Sequence, residues 1–178
     1  ANPVGDAAAG KSQTVVCSAC HGADGNSMAP FPKLAGQGEK YLLKQLNNIQ
    51  DDVRKVPSMA GLLDGMTEQE LVDIAAYYSV QTSTGGQTNP ELLELGAHIY
   101  RSCVADRNVD ACIAFHSPTG QGNGPAGFPA LGGQHPQYIA DQLRAYRKGY
   151  EDPEGRTNDG EAKIMRTNAS RLSENDIE

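Results

Sequence analysis

Large apolar side chains recur at helical spacing in three stretches of this chain. Tyr41, Leu42, Gln45, Leu46 and Ile49 share one face of a predicted helix, and Tyr138, Ile139, Gln142, Leu143 and Tyr146 share one face of another. A third helix opens on a capping-box pattern, Thr67-x-x-Glu70, and carries Leu71, Ile74, Ala75 and Tyr78 on one side. Nowhere do apolar and polar residues alternate over a length that predicts a sheet. The expected fold class is all-α. The stripes themselves read as core packing and are assigned no chemistry.

The first and second of these helices belong to one unit written twice. Residues 31–46 read FPKLAGQGEKYLLKQL and residues 128–143 read FPALGGQHPQYIADQL, with Phe, Pro, Leu, Gly, Gln, Tyr, Gln and Leu at a constant offset. Cys17 and His21 pair with Cys112 and His116 two residues out of step, a difference that a loop insertion absorbs. TEQEL (67–71) answers SENDI (173–177), and each follows a methionine, Met59 or Met165. A long period with two copies indicates tandem domains. The expected division is an N-terminal domain over 1–80, a linker over 81–90 and a C-terminal domain over 91–178. The linker, QTSTGGQTNP, is polar and turn-forming, and Asn89-Pro90-Glu91 is placed to cap the next helix.

Composition sharpens this picture. The chain is 38% hydrophobic and 6% aromatic, with no tryptophan, so each half has little material for a core of its own. Domains of that size commonly depend on a disulfide, a metal or a covalent cofactor. The net charge of −7 divides into −3 over 1–90 (9 acidic, 6 basic) and −4 over 91–178 (13 acidic, 9 basic), which argues against nucleic acid as a partner. No apolar run is long enough to span a bilayer as a helix. The opening at Ala1 fits a mature exported chain whose leader was removed. The closing SENDIE reads as the first turn of a helix, so a last helix is expected beyond it.

Cys17-Ser18-Ala19-Cys20-His21 is the pattern of c-type haem attachment. Two cysteines three apart face one side of a helix end and reach the two vinyl groups on one porphyrin edge. The histidine that follows turns its imidazole under the ring to ligate iron. Zinc would want a second ligand pair, and the first half has no further Cys or His. A dithiol redox pair would want a βαβ setting. The ligand opposite His21 is sought among Met28, Met59 and Met66. Met28 is too near the motif and Met66 falls just before the capped helix, whereas Met59 matches Met165, the one methionine of the second half. A His–Met pair fills both axial places, which leaves one-electron transfer and no small-molecule substrate.

The haem motif, FPKLAGQGEKYLLKQL, the Met59 loop and the linked second copy together resemble the dihaem cytochrome c4 family, two fused class I cytochrome c domains. The likeness runs from Val4 to Glu178 and includes RTNDGEAKIM at 156–165. It implies two haem c groups with iron, axial pairs His21/Met59 and His116/Met165, and haems facing each other across a pseudo-twofold interface. It also implies a periplasmic carrier, often loosely membrane-associated, that takes electrons from redox-protein donors to a haem–copper terminal oxidase. The alternatives are a dihaem enzyme of peroxidase or thiosulfate-oxidising type, and a cytochrome subunit of a larger dehydrogenase.

The second copy departs from the family at two positions. Phe115 stands where the second attachment cysteine belongs, and Cys103 stands where the family has none. Three accounts are open. Cys112 alone holds the haem, with Phe115 packing on the ring. Phe115 and Cys103 are substitutions or errors, and the native chain has both thioethers. Or Cys103 and Cys112 form a disulfide and the second half has no covalent haem; the axial pair and the repeated pocket argue against this last one. His98 is expected partly exposed, and His135, which replaces Gly38 of the first copy, is expected to begin a helix without further role.

Overall fold

The computed structural model describes residues 3–178. Among these there are nine α-helices and no strand, only isolated bridges between Val104 and Val109 and between Asn123 and Phe128. The helices are α1 (Ala7–Gln13), α2 (Val15–His21), α3 (Glu39–Gln50), α4 (Glu68–Ser79), α5 (Leu93–Arg101), α6 (Ile113–His116), α7 (Pro136–Gly149), α8 (Ile164–Ser170) and α9 (Glu174–Ile177). None is long and apolar enough to cross a membrane.

In the first half α1 crosses α4, and α3 packs beside α4. Asp6 caps α1 by accepting from the amides of Ala8 and Ala9 at 2.8 and 3.2 Å. Its own amide donates to Asp73 of α4 at 2.8 Å, so the cap also fixes the crossing. Gly10 makes the close approach possible: a Cβ there would lie 2.1 Å from the Asp73 carbonyl oxygen. The expected capping box is formed, Thr67 accepting from Glu70 while Glu70 accepts from the Thr67 amide at 2.7 Å. Leu42, Ile74, Ala75 and Tyr78 form the core between these helices.

The second half has a parallel core of Ile99, Val109, Ala140, Leu172 and Ile177, with α7 against α8 and α9. Here the helix facing α5 is the single turn of α9, and Leu93 and Leu95 remain exposed. The start of α5 differs from expectation. Asn89 does not cap it; its side chain accepts from the Glu91 amide at 3.1 Å and closes a separate turn. Pro90 brings no N–H to that turn, and the helix begins at Leu93 with Leu92 as an uncapped N-cap.

The halves meet through reciprocal contacts of equivalent residues. Gln37 donates to the Ala130 carbonyl (3.0 Å) and accepts from the Ala130 amide (2.8 Å). Gln134, its counterpart in the repeat, donates to the Lys33 carbonyl (3.0 Å) and accepts from the Lys33 amide (2.9 Å). Each glutamine thus treats the other copy's FPxLxGQ turn as a strand edge, and the arrangement is a pseudo-twofold. One feature breaks the symmetry. Lys33, only 8% exposed, sends its ammonium to Thr84 O (2.9 Å), Thr84 Oγ1 (3.0 Å) and Gly85 O (3.3 Å), fastening the 81–90 segment to the first half.

Candidate functional site

A cavity of about 1370 Å³ runs between the halves. Its lining joins Cys17, Cys20, His21 and Met59 from one half with Cys112, Phe115, His116 and Met165 from the other. The two methionines arrive differently. Met59 ends a 3-10 turn, Pro57–Met59, whereas Met165 lies in the first turn of α8. Met28 is 83% exposed and Met66 packs against the first core, and neither lines the cavity.

Each histidine closes a short helix, α2 or α6, and is followed by a residue of positive φ, Gly22 at 77° or Ser117 at 69°. His21 Nδ1 lies 2.9 Å from the Pro32 carbonyl oxygen, and His116 Nδ1 lies 2.8 Å from that of Pro129. A carbonyl only accepts, so Nδ1 carries the proton in both rings and Nε2 is left with its lone pair. Burial holds both imidazoles below the ordinary histidine pKa, with the proline carbonyls opposing weakly. Both rings are therefore neutral at pH 7, the form that binds iron. Burial likewise pushes the Cys17 and Cys112 thiols up.

No disulfide joins any of the four cysteines. Cys103 is exposed and outside the cavity lining, while Cys112 is half-buried and lines it. The disulfide considered for this pair is not formed. His98 is exposed. His135 is the N-cap of α7, and its Nε2 stands 2.9 Å from the Ser27 carbonyl oxygen of the other half, an interface contact that its sequence position did not signal.

The same cavity is lined by a polar network. Arg54 donates to Gln45 (2.9 Å), Tyr138 (3.0 Å) and Gln142 (3.2 Å). Arg156 donates to Gln142 (2.6 Å), Gln45 (2.9 Å) and Tyr41 (3.2 Å). Tyr41 and Gln45 of α3 are the repeat equivalents of Tyr138 and Gln142 of α7. The reading of these stripes as plain core packing therefore needs correction. Leu42 and Ala140 enter cores, but the tyrosines and glutamines bridge the halves. The available signal was the exact recurrence of polar Gln within an otherwise apolar stripe.

A family model described as cytochrome c matches residues 7–79. Cytochrome c4 of Pseudomonas aeruginosa is 51% identical, over 99% of this chain and 86% of that protein. The chain belongs to the cytochrome c4 family. Cytochrome c4 of Azotobacter vinelandii is 49% identical over 99% of this chain and 87% of that protein. The crystal structure of reduced recombinant cytochrome c4 from Pseudomonas stutzeri superposes with a TM-score of 0.93 at 49% identity, covering 98% of this chain and 94% of that one. As a cytochrome c4 the chain is an electron-transfer protein with two covalently bound haem c groups, and its all-α fold is that of the family. Its residues fit such groups. The cavity is larger than the roughly 300–1,000 Å³ typical of a single small-molecule pocket. It also carries, once in each half, a neutral imidazole with Nε2 uncommitted.

Proposed function

We propose that this cytochrome c4 is a periplasmic carrier in which His21 and Met59 ligate one iron and His116 and Met165 the other. Cys17 and Cys20 tether the first haem and Cys112 the second. Residues 1–80 and 91–178 are the two haem domains, joined by 81–90. The observation that carries the reading is the recurrence, in one cavity, of a buried histidine whose Nδ1 is committed to a proline carbonyl while a methionine lines the same space.

Bound haem supplies one-electron redox chemistry. The chain's residues determine the rest. The proline carbonyls of Pro32 and Pro129 orient the imidazoles and increase their basicity toward iron. Met59 and Met165 offer thioether sulfur, which raises the potential relative to a second nitrogen ligand. With His21 and Met59 holding one iron and His116 and Met165 the other, neither iron would offer a place for a substrate, and the task would be transfer and not turnover. Donors are redox proteins, the acceptor is a haem–copper terminal oxidase, and the carrier associates loosely with the membrane.

Spectra of the oxidised and reduced holoprotein test the ligand sets. Low-spin iron at both sites, two one-electron steps in a redox titration and slow carbon monoxide binding are expected. A high-spin component, or rapid carbon monoxide binding by the reduced protein, would indicate a vacant axial place and an enzyme. Oxidation of the reduced carrier by a purified haem–copper oxidase tests the acceptor.

A further inference from the structure

Phe115 lies at the second haem site, yet electron transfer as described gives it no task. It belongs to α6, three residues after Cys112 and directly before His116, so it projects from the same side of the turn as Cys112. Its equivalent in the first half, Cys20, is exposed; Phe115 is half-buried and lines the cavity. Its ring meets Phe128 edge-on, with centroids 5.3 Å apart and planes at 70°. Phe128 in turn stands 6.5 Å from His116 at 63°. The first half has the matching pair, His21 and Phe31, at 6.3 Å and 69°. The histidine–phenylalanine contact is thus common to both sites, and Phe115 is the addition.

Building on the assignment of Cys112 and His116 to a haem site, we infer that the second haem is joined by one thioether, from Cys112, and that Phe115 packs on the vinyl group left unreacted. The attachment is an addition. The Cys112 S–H adds across one vinyl, Sγ bonding to the carbon next to the ring and the hydrogen going to the terminal carbon. Nothing leaves, and no oxidant is consumed. At the other vinyl no thiol is available. Cys103, the one remaining cysteine of this half, is exposed and lies outside the cavity lining. Phe115 places a flat apolar ring where the second sulfur would bond. Burying the vinyl and the ring edge together keeps water from that corner and stabilises the contact. The two sites of one chain thus hold chemically different haems: the first with both vinyls saturated, the second with one still conjugated to the ring.

The test uses the mature holoprotein. Haem content per chain is measured before and after acid–acetone extraction, and the pyridine haemochrome spectrum is taken on the proteolytic peptide that contains Cys112. Two haems per chain, both resisting extraction, are expected. The α band of the Cys112 peptide should lie to the red of the two-thioether position, because the surviving vinyl extends conjugation. Phe115→Cys should move that band to the two-thioether position, and Cys103→Ser should leave it unchanged. A wild-type band already at the two-thioether position, or a band that shifts in Cys103→Ser, overturns the inference while leaving the haem site standing. Two haems with one extractable overturns covalent attachment at Cys112. One haem per chain before extraction overturns the second site itself. If Phe115→Cys fails to mature, the wild-type spectrum alone decides.

Discussion

At the scale of single residues, the proposed ligation of iron by Met59 and Met165 is the most direct to test. Truncating Met165→Ala should leave the second iron five-coordinate, seen as a high-spin band and carbon monoxide binding at one haem per chain. Met59→Ala should do the same at the other iron, and Met66→Ala should change neither spectrum. A second prediction concerns acid. Arg107 and Ser173 hold the Asp176 carboxyl down at about 2, from an ordinary 3.8. A carboxyl depressed in the folded state stabilises it above its unfolded pKa, and the contribution is lost as pH falls from about 4 to 2. Asp176→Asn should therefore weaken the protein at pH 7 but have little effect near pH 2, as read by thermal melts at both values. The residue scale also shows how far sequence alone reaches. That Cys17, Cys20 and His21 come together at the cavity was legible because they fall within five adjacent positions. The network of Arg54, Arg156, Gln45 and Gln142 was not, because its partners are distant in sequence and each looks like an ordinary polar residue on a helix.

At the scale of elements, the crossing of α1 on α4 depends on one missing side chain. Alanine is the better helix former by roughly 0.8–1 kcal/mol, so Gly10→Ala would stabilise an isolated α1. In the folded protein the added methyl would collide with the Asp73 carbonyl. The net effect should be a loss of about 1–3 kcal/mol, measured as a lower denaturation midpoint. Helices α3, α4 and α7 were readable from their apolar spacing, and α4 even from its cap, since Thr67 and Glu70 act locally. The start of α5 departs from the sequence expectation because Asn89 has two local uses, capping a helix or closing a turn, and here it closes a turn. Order in the repeat pairs Met165 with Met59 but predicts no element for it; its place in α8 reflects the packing of that helix on α7, which no local signal encodes.

At the scale of the whole molecule, the repeat has become an interface. Gln37 and Gln134 each satisfy one amide and one carbonyl of the other half. Gln37→Ala and Gln134→Ala should each cost about 1–3 kcal/mol, by stranding those groups, and the two losses should be similar because the roles are equivalent. Calorimetry of the holoprotein would show them; markedly unequal losses would mean that the pseudo-twofold does not extend to energetics. The clasp of Lys33 has no such twin, since Ala130 occupies its place in the second copy. Its buried ammonium has three protons and three oxygen acceptors, all on Thr84 and Gly85, with no carboxylate among them. Swinging the 81–90 segment outward at Thr84 and Gly85 would strip that cation of all three acceptors. Lys33 thus ties the first five residues of the segment to the first half, so that any change in the angle between the halves would have to be taken up by residues 86–90.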